Sequence, residues 1–103
     1  FMAVGAAGGS TIPVQTARSI IGVIDFGLAP QEALGLPFVM AFGDGVLLEE
    51  GTWLADSQAA FRALGHDMLT VRAAPVKAGI VARRDGQWIS ARDPRLIGQL
   101  ELP

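Results

Sequence analysis

At 103 residues, half of them hydrophobic and 17% charged, the chain has material for one modest core; its net charge of −2 and lack of a basic cluster exclude a nucleic-acid surface. It has no cysteine and a single histidine, which excludes disulfides, thiolate catalysis, Cys-based metal sites and multi-histidine metal centres within these residues. A mean hydropathy of +0.40 is high for so small a piece, so some apolar surface is expected to be covered by further chain or by a second copy, although no apolar stretch reaches the length of a membrane span.

The chain opens on a strand-like apolar run, Phe1 to Val4, followed by Gly5-Ala6-Ala7-Gly8-Gly9-Ser10-Thr11-Ile12. The spacing predicts a helix from about Thr11 to Phe26. Ala17, Ile20, Ile21, Ile24 and Leu28 fall on one expected buried stripe, with Gln15, Arg18, Gly22 and Asp25 on a more polar side. Ser10 or Thr11 is expected to cap it, and Gly27 to end it. Pro30 starts a second, short helix that Pro37 ends. Phe38 to Phe42 and Val46 to Glu49 read as strands joined through Gly43-Asp44-Gly45. Gly43 and Gly45 begin a G-x-G pattern, but Leu48 stands where a third glycine would be, so a dinucleotide fingerprint is not met. A helix follows from about Leu54 to Leu64, stopped by Gly65. Met68 to Arg72, Val76 to Arg83 and Gln87 to Ala91 then read as a three-strand antiparallel run with Asp85-Gly86 as its hairpin turn. Arg92-Asp93-Pro94-Arg95 leaves the sheet. The sum is an α+β chain, helices on one face of a largely antiparallel sheet.

Chemistry concentrates at Gly8 and Gly9. Paired glycines let a backbone approach a ligand, and a helix start adds unpaired N–H groups and partial positive charge. Such a turn suits an anion or a developing oxyanion, or it is a tight strand-to-helix turn with no ligand. Ser10 reads first as a helix cap and second as a substrate contact. His66 is expected at a helix end in a structural or surface role. Glu49-Glu50 is expected to meet solvent, Asp93-Pro94-Arg95 to form an exposed local ion pair worth at most about 1 kcal/mol, and Trp53 and Trp88 to pack or anchor an interface.

Gly8-Gly9-Ser10-Thr11-Ile12, Val23-Ile24-Asp25-Phe26-Gly27, Pro30-Gln31-Glu32-Ala33 and Pro37 together resemble the gamma-glutamyltransferase family. Leu47-Leu48-Glu49-Glu50-Gly51, Ala63-Leu64-Gly65-His66, Asp85-Gly86 and Ala91-Arg92-Asp93-Pro94-Arg95 continue the likeness in family order. The resemblance covers nearly the whole chain and matches the C-terminal part of the family's small subunit. It implies a fragment: part of one half of an αββα N-terminal-nucleophile hydrolase. It also implies acyl transfer from a gamma-glutamyl amide, such as glutathione, to water or an amino acceptor, with no cofactor and no metal. The precursor would cleave itself, and the nucleophilic threonine would lie upstream; Thr11, Thr16, Thr52 and Thr70 are all internal. The partners implied are the large subunit, the N-terminal half of the small subunit and the gamma-glutamyl substrate, and the compartment implied is periplasmic or secreted. By the same resemblance, Gly8 and Gly9 supply oxyanion-hole N–H groups. The chain departs from the family at Ala7 (usually proline), at Thr11 (usually arginine), at Phe38 to Phe42 (a histidine-rich stretch) and at Pro75 to Gly79 (a Ser-, Thr- and Gln-rich segment). These departures leave open a related amide acylase with another substrate, or a nonenzymatic subunit that kept the fold. A small anion- or nucleotide-binding domain built on the Gly8-Gly9 turn is the third alternative, and it lacks both a phosphate-binding lysine and a full glycine fingerprint.

Overall fold

Alternation of Ala78, Ile80 and Ala82 with more exposed neighbours makes one strand the centre of a sheet, and two others pair with it. In the computed structural model, which describes residues 1–96, strand β1 (Met2–Ala7) lies antiparallel to β5 (Lys77–Arg84), from Met2↔Ala82 to Ala7↔Lys77. β6 (Gln87–Arg92) pairs antiparallel with the other edge of β5, joined through Asp85 and Gly86, both at positive φ (51° and 77°) as a tight primed turn requires. The sheet order is β1-β5-β6. One face carries helices α1 (Ile12–Ile24) and α2 (Pro30–Leu34). Val23, Ala33 and Leu34 from the helices meet Ala78, Ile80 and Ala82, with Met2, Val4, Ala6, Leu28 and Ala91 around them. These elements form one compact unit, Phe1–Leu36 with Pro75–Pro103, of which 97–103 lie outside the described residues.

The face that α1 buries is not the isoleucine stripe. Gln15, Ser19, Gly22 and Val23 are buried, while Ile20, Ile21 and Ile24 are 41%, 43% and 61% exposed. Close approach decides this. A Cβ at Gly22 would stand 2.8 Å from the Ala33 Cβ, so the two helices touch where only a hydrogen fits. The polar members of the buried side find hydrogen-bond partners, which removes the cost of burying them.

The second unit is Pro37–Ala74. Strands β2 (Val39–Phe42) and β3 (Gly45–Glu49) form the expected antiparallel hairpin. β4 (Leu69–Arg72) then pairs parallel with β3, from Val46↔Leu69 to Glu49↔Arg72. It does not join an antiparallel run with β5 and β6. A parallel pair needs a crossover, and a 3-10 turn (Ala55–Ser57) with helix α3 (Gln58–Ala63) supplies it. Val46, Leu48 and Leu54 form a buried cluster, with Phe61 and Leu69 against them. α3 ends in a double backbone closure: Gly65 N–H donates to Arg62 O at 2.9 Å and His66 N–H to Phe61 O at 3.0 Å. The His66 ring packs near Phe61, 6.2 Å between centroids, so the exposed histidine belongs to a helix stop.

Glu49 does not meet solvent. It is buried, and its Oε1 accepts from the Phe38 N–H at 3.1 Å while its own N–H donates to Phe38 O at 3.0 Å. Glu50 is exposed, as expected. Trp53 and Trp88 are 65% and 58% exposed; Trp88 stacks edge-on with Phe1 and lies under the Arg83 guanidinium. No helix among the described residues is long and apolar enough to cross a membrane, and none of them form a cluster of metal ligands.

Candidate functional site

β1 delivers the backbone directly into the Gly8-Gly9 turn. Gly8 sits at φ 134° and Gly9 at φ 60°, and Gly9–Thr11 form a 3-10 turn that runs without a break into α1. The two glycines differ in what surrounds them. A Cβ at Gly8 would lie 2.5 Å from Thr11 Oγ1, 3.0 Å from Gln15 Nε2 and 3.1 Å from Pro75 O, so the protein itself fills that space. A Cβ at Gly9 would meet nothing within 4 Å. Gly9 is the glycine with room beside it for a ligand. At such a helix start the leading N–H groups have no acceptor inside the helix.

Neither Ser10 nor Thr11 caps the helix with its side chain, contrary to expectation. Thr11 Oγ1 turns back and donates to Gly8 O at 2.9 Å, and the Thr11 N–H reaches the same oxygen at 3.2 Å. Ser10 is exposed on the turn. Gln15, which no motif singled out, is fully buried beneath it. Its Nε2 donates to Ala7 O and to Thr11 Oγ1, each at 2.8 Å, and its Oε1 accepts from the Lys77 N–H at 2.8 Å. The amide orientation follows from its partners, since a carbonyl requires the nitrogen and an N–H the oxygen. Ser19 Oγ donates to Gln15 O at 2.8 Å.

A second polar cluster lies at the end of β6. Asp93 was expected in an exposed ion pair and is instead fully buried. Its Oδ1 accepts from Arg95 Nη1 and from the Arg95 N–H, both at 2.9 Å, and its Oδ2 faces Arg18 Nη2 at 3.5 Å. The two guanidinium groups also close carbonyls at and just beyond the end of α2: Arg18 and Arg95 both reach Leu36 O, and Arg95 reaches Leu34 O. Four neighbours in sequence could have suggested a turn, but only the fold brings Arg18 to it.

The sequence profile named Gamma-glutamyltranspeptidase matches residues 1–102. The chain belongs to the gamma-glutamyltranspeptidase family. Solved family structures share its α+β fold, that of N-terminal-nucleophile hydrolases. The gamma-glutamyltranspeptidase of Pseudomonas nitroreducens, solved with L-DON, superposes at TM-score 0.75 with 20% identity, covering 91% of this chain and 51% of that one. A Helicobacter pylori gamma-glutamyltranspeptidase T380A mutant gives 0.78 and 22%, covering 92% and 54%. The chain thus spans about half the length of these relatives. A cephalosporin acylase from Bacillus halodurans gives 0.74 with 28% identity, covering 89% of this chain and 18% of that one. No curated protein matches by sequence.

Proposed function

We propose that this chain is the oxyanion-loop segment of a gamma-glutamyl hydrolase or transferase, which acts on glutathione and related amides through an acyl-enzyme. The observation that carries the reading is the Gly8-Gly9 turn: a helix start, open beside Gly9, held rigid from below by Thr11 and Gln15. Rigid donors aimed at a developing oxyanion need no reorganisation during reaction, and removing one costs about 100- to 1000-fold in kcat. Gly8 and Gly9 supply those N–H groups, and Ser10, exposed next to them, borders the acyl group. The nucleophile comes from the rest of the polypeptide, activated by its own α-amine after self-cleavage. Residues outside this chain form the remainder of the site. The exposed Ile20, Ile21 and Ile24 stripe agrees with a chain that is part of something larger.

The test is turnover of a chromogenic gamma-glutamyl anilide by the full-length gene product, with a gel beside it. Cleavage into two chains with turnover supports the reading. Cleavage without turnover favours the second reading, an amide acylase with another substrate, which the likeness to the cephalosporin acylase supports. Neither cleavage nor turnover leaves a nonenzymatic subunit.

A further inference from the structure

We infer that Gln15 is a positioning residue: one buried side chain aims both N–H groups of the Gly8-Gly9 turn. This rests on the functional reading above. A trans peptide holds its C=O and its N–H in one plane, pointing opposite ways, so whatever fixes the oxygen fixes the hydrogen. The Gly8 N–H shares its peptide with Ala7 O, and Gln15 Nε2 donates to that oxygen at 2.8 Å. The Gly9 N–H shares its peptide with Gly8 O, and Thr11 Oγ1 donates to that oxygen at 2.9 Å. The Thr11 hydroxyl in turn accepts from Gln15 Nε2 at 2.8 Å, which leaves its own proton for Gly8 O. One hydrogen of the amide nitrogen therefore sets the Ala7–Gly8 peptide directly, and the other acts on the Gly8–Gly9 peptide through the Thr11 hydroxyl, which shares Gly8 O with the Thr11 N–H at 3.2 Å. The amide oxygen is anchored at 2.8 Å to the Lys77 N–H, at the start of β5, so the whole relay is referenced to the sheet. Hydrogen bonds to the carbonyls also polarise the same peptides and strengthen their N–H groups as donors.

The experiment uses the full-length protein and three substitutions. Gln15→Glu keeps the shape and the Lys77 bond but removes both donors; its carboxylate also draws the Thr11 proton away from Gly8 O. Thr11→Val removes only the hydroxyl. Val23→Ala opens the nearby core and serves as the control for lost stability. Misdirected donors act on the transition state, so kcat should fall about 100-fold for Gln15→Glu and about 10-fold for Thr11→Val, with KM within about threefold. Val23→Ala should lower the melting temperature and leave kcat per folded molecule unchanged. A folded Gln15→Glu protein with kcat within about twofold of the unchanged protein overturns the inference. Should that variant not fold, the Thr11→Val kcat decides alone. Absence of turnover in the unchanged protein sinks the functional reading instead. Crystal structures of the unchanged and Thr11→Val proteins then decide the relay: a rotated Gly8–Gly9 peptide supports it, and an unmoved one overturns it.

Discussion

Gly8 and Gly9 are adjacent and are glycine for different reasons, which separates their substitutions. At Gly8 a methyl group meets Thr11 Oγ1 at 2.5 Å and a backbone oxygen at 3.1 Å, on top of a φ of 134°. Gly8→Ala should destabilise the protein by about 3 kcal/mol, the strain of an unfavourable backbone region plus overpacking. Gly9→Ala has open space and only the left-handed backbone at φ 60° to accommodate, so it should cost about 1 kcal/mol. Urea midpoints of the two variants against the unchanged protein check the order. Deleting one partner of a buried ion pair leaves charge without compensation, so Asp93→Ala should cost about 3–5 kcal/mol, measured the same way. An exposed pair would have cost about 1 kcal/mol at most. The local pair of Asp93 with Arg95 is legible in sequence, but the burial of Asp93 and the role of Gln15 are not, because these come with partners 75 and 62 residues away, Arg18 and Lys77. The glycine turn, in contrast, is local chemistry and was legible.

The elements themselves show where local pattern suffices. Pro30 and Pro37 bracket α2, Gly65 stops α3, and Asp85-Gly86 turns β5 into β6, because each acts through its own backbone. Two features needed information from elsewhere. Hydrophobicity alone does not set the phase of α1: small residues win the inward face where a Cβ at Gly22 would come within 2.8 Å of the Ala33 Cβ. The partner of β4 does not follow from its own residues, because a strand carries no sign of its direction of pairing, and the α3 crossover that permits a parallel pair reads locally as any helix does. The phase of α1 is testable. Gly22→Val should cost at least about 1–3 kcal/mol through overpacking. Ile24→Lys, on the exposed side, should change the unfolding free energy of the isolated chain by less than about 0.5 kcal/mol at a dilution where it is monomeric. The reverse order of these two values would return the isoleucine stripe to the core.

For the molecule as a whole, the exposed isoleucines add to a further apolar feature of the same unit. A groove beside β1 is lined by Phe1, Met2, Val4, Thr16, Ile20 and Ile24. β1 forms an edge of its sheet among the described residues, and Met2–Ala7 contains neither a charge nor a proline to guard it. Unguarded edges recruit further strands. Light scattering of the isolated 103-residue chain should therefore give a mass above that of one copy, and the double substitution Ile20→Lys, Ile24→Lys should lower it.

The unit that holds the turn is also interrupted in sequence, since all of Pro37–Ala74 is inserted between its two stretches. A ribosome finishes β1 about 70 residues before it finishes the start of β5, the strand β1 pairs with. At about 5–20 residues per second, that strand waits roughly 4–14 s for its partner. Lys77 reaches the Gln15 amide only after the same delay, so the glycine turn cannot take its final geometry while its own helix is being made. During synthesis the β5-facing edge of an uncharged strand waits unpaired, and the yield in a cell should depend on what shelters that edge in those seconds.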